Sequence, residues 1–304
     1  MLARLQTCIA FSLLLLAAGW LAWTLPEGRF GLAGAGLLVL GGGHGVVLGL
    51  EFLLVSRLNR ADPAPPASVA QRWCAWWAEC LSAPQVFLWQ QPFRSRRWPD
   101  HLPPSAGGRR GVLLVHGFVC NRGLWNDWLQ RLTALDVPVV AVNLEPVFGR
   151  IDDYAPVIEA AVARLQAATG LPPLVVAHSM GGLAVRHWRA RPGHAARVQH
   201  VITLGTPHHG TWLARWAVTP NAVQMRLHGA WLTALQAREA GAAASARDFT
   251  CFYSHCDNIV CPASTATLPG AGNRHLPGTA HVHMVAHPGP WLEALRRLDR
   301  PASD

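Results

Sequence analysis

Hydrophobic and polar positions divide the chain into stretches with different periods. Residues 5–25, "LQTCIAFSLLLLAAGWLAWTL", contain no charged side chain, and after "PEGRF" residues 31–50, "GLAGAGLLVLGGGHGVVLGL", again contain none. Each run matches the ~20 apolar residues that cross a bilayer as a helix. The pattern predicts a transmembrane helical hairpin within residues 1–60, with spans at about 5–25 and 31–55. A cleaved signal peptide over residues 1–19, ending at "AAG", is the rival reading. Trp20 and Trp23 prolong the apolar run and favour a retained helix. Gly41, Gly45 and Gly49 recur on one helical face, a pattern that lets transmembrane helices approach closely.

Residues 61–110 read as a connecting region. "DPAPPAS" (62–68) is too proline-rich to stay helical. Trp73, Trp76, Trp77, Cys80 and Leu81 follow at i, i+3, i+4, i+7 and i+8, which predicts an amphipathic helix. Its tryptophan stripe suits either the headgroup boundary or packing on the next domain. From residue 111 the period changes. "GVLLV" (111–115), "VPVVAV" (137–142), "LPPLVVA" (171–177) and "VQHVITL" (198–204) read as buried strands, with helical patterns at 152–169 and 181–191 between them. Strands alternating with helices predict an α/β domain with a mostly parallel sheet over residues 111–304. Residues 212–248, apolar and helical in pattern, are expected to form a small cap.

The chain of 304 residues is 51% hydrophobic and 14% charged, which excludes a disordered protein. Its net charge of +9 comes from arginine alone, since no lysine occurs. The arginines are scattered and no nucleic-acid signature accompanies them, so the expected partner is the bilayer and not a nucleic acid. Seven cysteines at irregular spacing, without a CxxC pair, predict no zinc ribbon, no metal and no cofactor. Cys251, His255, Cys256 and Cys261 read as ordinary buried side chains.

In a parallel α/β sheet, ligands bind beyond the carboxyl ends of the strands. Polar residues cluster there: "HGFVCN" (116–121) after the first run, "HSMGG" (178–182) after the third, "GTPHHGT" (205–211) after the fourth. A later run, 249–262, contains Asp257, and "RHLPGTAHVHM" (274–284) leads to a histidine just before a helical pattern at 290–299. Serine, aspartate and histidine follow one another in the chain order of an α/β-hydrolase triad. Over residues ~111–300 the chain resembles α/β-hydrolases of the bacterial lipase and esterase type. "AHSMGG" resembles their nucleophile elbow with alanine in place of the first glycine, "HGF" their oxyanion loop, and "LGTPHHGT" the strand and loop after the elbow.

The resemblance implies an α/β-hydrolase fold and a set of roles. Ser179 would attack an ester carbonyl, His281 would take its proton, and Asp257 would orient the imidazole. The backbone N–H groups of Phe118 and Met180 would hold the oxyanion. His116, Gly117, His178 and Gly181 would support the site, Gly181 by letting the helix pack close to the serine strand. "PGTAH" matches the family's base turn at His281 and not at His283. The expectation is a membrane-anchored serine hydrolase acting on carboxylic esters, lipid or acyl. A serine acyltransferase with the same triad and an inactive scaffold are the alternatives. Arg57 and Arg60, after the second span, predict a multi-pass inner-membrane protein with a cytoplasmic catalytic domain. Oligomeric state is unknown from sequence.

Overall fold

The computed structural model describes residues 1–241 and 245–299. Positions 242–244 of the expected cap and 300–304 of the expected catalytic region lie outside the described residues.

Two long helices open the chain, α1 (Leu2–Thr24) and α2 (Phe30–Leu58), both long and apolar enough to cross a membrane. Their apolar side chains point outward: Leu15 is 72% exposed. The Met1 ammonium meets Glu145 at 3.1 Å, which brings the start of α1 to the sheet domain and the α1–α2 turn to the far end. The Trp20 indole N–H donates to Leu32 O (3.1 Å), and a Cβ at Gly36 would collide with its ring, so Gly36 is where the two helices touch. The glycine repeat serves a different contact from the one expected. A Cβ at Gly41 would meet nothing within 4 Å, whereas Gly45 and Gly49 receive Trp76.

Trp76 belongs to α3 (Val69–Pro84), and its indole N–H donates to Gly45 O at 2.8 Å. This helix starts with a capping box, in which the Ser68 hydroxyl accepts from Gln71 N–H and the Gln71 side chain accepts from Ser68 N–H. Pro84 supplies no N–H, and the chain widens into a π turn over Gln85–Gln90 before the short α4 (Gln91–Arg94). The inward face of α3 is Ala75, Glu79 and Cys80; Trp73, Trp77 and Leu81 face outward.

The remainder is a parallel sheet in the order β2-β1-β3-β4-β5-β6. The strands are β1 (Val112–Val115), β2 (Val139–Ala141), β3 (Leu174–His178), β4 (His200–Leu204), β5 (Phe249–Tyr253) and β6 (Gly272–His275). Side chains alternate between two cores: Leu113 and Val115 enter one, Val112 and Leu114 the other. This is why the strands read as unbroken apolar runs. The other helices are α5 (Asn126–Ala134), α6 (Ala155–Thr169), α7 (Met180–Arg189), α8 (Pro220–Gln224), α9 (Ala230–Gly241) and α10 (Pro288–Leu298). Helices α6 and α7 fill the Leu113 side through Ile158, Val162, Leu183 and Trp188. Helices α5 and α10 fill the other through Trp128, Leu132 and Trp291. Within the expected cap, α9 is tied to α7 by the buried Arg186, whose guanidinium holds Glu239 at 2.6 and 2.8 Å. The last strand ends at His275, and residues 276–282 form an irregular loop.

Candidate active site

Ser179 lies between β3 and α7 with φ 53° and ψ −129°, a conformation that side-chain-bearing residues rarely adopt. Three hydrogen bonds hold it there. Ser179 N–H donates to Leu204 O (2.8 Å), and Ser179 O accepts from Gly182 N–H (3.0 Å) and the Thr206 hydroxyl (2.9 Å). Its side chain stands at the carboxyl end of the central strand, where the sheet leaves backbone groups unpaired.

The loop after β1 closes against this turn. A Cβ at Gly117 would lie 2.7 Å from Ser179 Cβ, and one at Gly181 would lie 2.5 Å from His116 O. Neither approach leaves room for a side chain. His116 Nε2 accepts from Leu144 N–H (3.0 Å), so Nδ1 carries the proton that goes to Gly117 O (2.9 Å). Burial pushes His116 down to about 4, despite the Gly117 bond and the Glu145 charge, so the ring is neutral near pH 7. Phe118 follows, edge-on to Phe148 at 6.0 Å, and Val119 is held at φ 52°, costly for a β-branched residue. Met180 is the first residue of α7, where N–H groups lack intrahelical partners and the helix dipole is positive.

Asp257 and His281 come from the loops after β5 and β6. His281 Nδ1–H donates to Asp257 Oδ2 at 2.8 Å. Asp257 Oδ1 accepts from Ile259 N–H (2.9 Å) and Val260 N–H (2.8 Å), so both carboxylate oxygens are occupied. That leaves His281 Nε2 as the free ring nitrogen. Burial alone would lower the His281 pKa; the charge and hydrogen bond of Asp257, with the charges of Glu79 and Glu51, outweigh it and raise the value. His178 Nε2–H donates to His281 O (3.1 Å), and the two rings lie 4.6 Å apart. The His281 loop is thereby tethered to the residue before Ser179. Burial holds His178 well below the usual imidazole range. Ser179, Asp257 and His281 are all nearly enclosed, at 6%, 2% and 5% exposure.

His283 is not part of this pair. Its N–H goes to Glu79, and among the described residues its buried Nδ1 has no partner. Asp152 accepts from the Trp231 indole and the Gln224 amide, and Asp153 accepts from Arg150 N–H, so neither carboxylate is bonded to His281. His208 lies in the core against Thr203 and Cys251. Among the described residues no three His, Cys, Asp or Glu side chains converge as a metal site.

No family model and no curated protein matches the chain. Solved structures do. Lipase B of Aspergillus fumigatus superposes with a TM-score of 0.58 at 24% identity, over 66% of this chain and 56% of that one. The mature form of lipase BlEst2 from Bacillus licheniformis superposes at 0.53 with 17% identity, over 63% of this chain and 92% of that one. This chain therefore spans little more than half of the Aspergillus lipase. Similarity at this level, on a parallel sheet with the strand order above, decides the architecture. The chain has the α/β-hydrolase fold.

Within the hydrolase fold, one glycine of the "LGTPHHGT" stretch and three side chains outside the motifs surround the candidate triad. Gly205 backs Asp257 and His281: a Cβ there would lie 2.8 Å from Asp257 Oδ2 and 3.0 Å from His281 Nδ1. Asn258, beside Asp257, accepts the His281 N–H through Oδ1 (3.3 Å). Glu51 and Glu79 reach the same loops from α2 and α3. Glu79 had a signal in the sequence, as the single acidic residue of the tryptophan-rich helix. Glu51 had one too, as the first charge after 20 uncharged residues.

Proposed function

We propose that the protein is a membrane-anchored serine hydrolase that cleaves carboxylic esters, lipid or acyl, through an acyl-enzyme. The observation that carries this reading is the Asp257–His281 pair, tethered by His178 to the strained Ser179 at the carboxyl end of the sheet. The similar structures are lipases, which agrees with it.

The chemistry follows from the protons. His281, neutral and with Nδ1–H committed to Asp257, takes the Ser179 proton on Nε2 as the serine oxygen attacks the carbonyl carbon. The imidazolium that forms is stabilised by the Asp257 carboxylate. The oxyanion is held by the N–H groups of Phe118 and Met180, the latter aided by the α7 dipole. Collapse breaks the ester C–O bond, and His281 returns the proton to the departing alcohol. Water, deprotonated by His281, then releases the acid and frees Ser179. His116 and His178 stay neutral and support the loops without competing for the proton.

In this reading residues 1–60 form the anchor, residues 61–110 join it to the hydrolase, and 111–304 carry the catalysis. Both ends of the hairpin lie on the sheet side, with Arg4, Arg57 and Arg60, which favours a cytoplasmic catalytic domain. A groove of about 1000 Å³ between α2 and α3, lined by Gly42, Val46, Leu50, Leu53, Trp73 and Trp76, supports a lipid substrate. Acyl chains of the bilayer would fill it, and its Phe52 packs with Ala280, next to the base.

The test is covalent labelling of the full chain in detergent with a fluorophosphonate. The wild type should label and hydrolyse a p-nitrophenyl ester, and Ser179→Ala should do neither while melting at the same temperature. Turnover surviving in Ser179→Ala would end the assignment.

A further inference from the structure

The segment that carries the base makes unusual contacts with the N-terminal helices. Glu79 on α3 is 1% exposed, and its two oxygens accept from the consecutive amides of Val282 (2.9 Å) and His283 (3.0 Å). Among the described residues no arginine pairs with it. On the other side, Glu51 on α2 accepts from the Asn258 side-chain amide (2.8 Å), and Asn258 Oδ1 accepts the His281 N–H. Three successive backbone amides, 281 to 283, therefore end on side chains, and both supporting carboxylates come from outside the sheet domain.

A buried carboxylate without a cation is costly unless its hydrogen bonds are met. Burial raises the Glu79 pKa, and the two amide donors oppose that rise. What repays such a group is a positive charge that appears only during the reaction. The His281 imidazolium is that charge, and fixed dipoles and charges aimed at it act without reorganisation.

We infer that Glu79 is a positioning residue for His281, fixing the backbone after the ring, and that Glu51 acts likewise through Asn258, so that the membrane-associated helices complete the active site. The inference rests on the triad reading above. The groups facing the imidazole are Asp257, Glu79 and Glu51, which raise its pKa, and His178, whose ring lies beside it tilted by 48°; His116 lies beyond His178 and His283 two residues on.

The experiment uses the full chain in detergent, with steady-state ester hydrolysis across pH and a thermal melt. Glu79→Gln keeps the side-chain size and turns one acceptor into a donor facing an amide. It should lower kcat by about 10- to 100-fold, the scale of a sub-ångström to 1 Å misplacement, with KM changed less than about twofold. The acid limb of kcat/KM should move to lower pH, because a charge that raises His281 is gone. Glu79→Asp should keep that limb near the wild-type position, since the charge remains. If Glu79→Gln does not fold, Glu51→Gln decides: it still accepts from Asn258 and should show the same limb shift with a smaller kcat loss. A folded Glu79→Gln, or failing that a Glu51→Gln, with wild-type kcat and limb would overturn the inference. Titration of His281 by 15N NMR in Ser179→Ala protein separates the two failures. A pKa lowered there by Glu79→Gln supports the coupling without any turnover, whereas a wild type that neither labels nor hydrolyses sinks the hydrolase reading alone.

Discussion

Leu15 in α1 and Leu113 in β1 are the same side chain, yet one is 72% exposed and the other not exposed at all. The contrast runs through both regions. The N-terminal helices turn Leu14, Leu16, Leu38 and Val39 outward, while every residue of β1, β2, β3 and β4 is buried. Apolar content alone therefore does not tell a core from an outward face. What separates them is where the polar groups go. In the sheet half, polar side chains gather at the strand ends and satisfy one another. In the helical half, Glu51, Asn59 and Glu79 point at the sheet domain. Asn59 donates to His255 O and accepts from Ala263 N–H, bracketing the loop that holds Asp257. The two regions are chemically distinct and mechanically joined.

If that division is right, changes at the sheet ends act on chemistry and leave membrane partition alone. Asp257→Asn should cut turnover on the order of 10⁴-fold, the scale for neutralising a triad acid. His281→Ala should abolish single-turnover acylation of Ser179, and His283→Ala should retain most of it. The proteins should stay in the membrane fraction throughout. The reverse histidine pattern would move the base to His283.

The next effect is on folding. Leu113→Ala removes a fully buried side chain between β1 and α6 and should cost about 2–5 kcal/mol in denaturant unfolding, as for other large-to-small core changes. A cost below 1 kcal/mol would mean the sheet core relaxes around the gap.

Acid should weaken the same half. Burial lowers His116 to about 4 and His200 to about 3, and holds His178 and His208 well below their usual value. In the unfolded chain these rings bind a proton near pH 6.5, so the unfolded state holds more protons below that pH. Stability should fall as pH drops from about 6.5 toward 4. His281, raised, works the other way: its contribution is full below about 6.5 and lost as pH rises through its folded value. Four lowered rings outweigh one raised ring, so the melting temperature should be several degrees lower at pH 5 than at pH 7.5. A flat profile would contradict the buried, neutral assignment.

Much of this is legible in the amino-acid sequence, for physical reasons. Parallel strands buried on both faces leave continuous apolar runs: β1 and β4 fall within residues 111–115 and 198–204, and β3 runs one residue past 171–177. The α/β class followed from that alternation, and the α/β-hydrolase fold from the family resemblance of the motifs at the strand ends. The base loop was less legible, because Pro277 and Gly278 end the strand early and His281 is carried by irregular backbone. Partners far apart in sequence were not legible at all. Glu79 and Val282 are 203 positions apart, and Glu51 and Asn258 are 207 apart. No local period encodes such pairs. The glycine repeat of α2 misled for the same reason: small residues predict a close neighbour without saying which, and the neighbour is Trp76.

The smallest expected effect tests the exposed half. Leu15→Ala removes three carbons from a side chain that touches little protein, and alanine is as good a helix former as leucine. With no cavity to leave, the change should shift unfolding by no more than about 0.5 kcal/mol, the range for surface substitutions. Membrane fractionation should also survive, since the rest of α1 and all of α2 still supply two apolar spans. The informative outcome is a large one. A cost near that of Leu113→Ala would mean that Leu15 is buried in the working protein by another polypeptide surface. The exposed face of α1 would then be an interface between subunits and not the face that meets lipid.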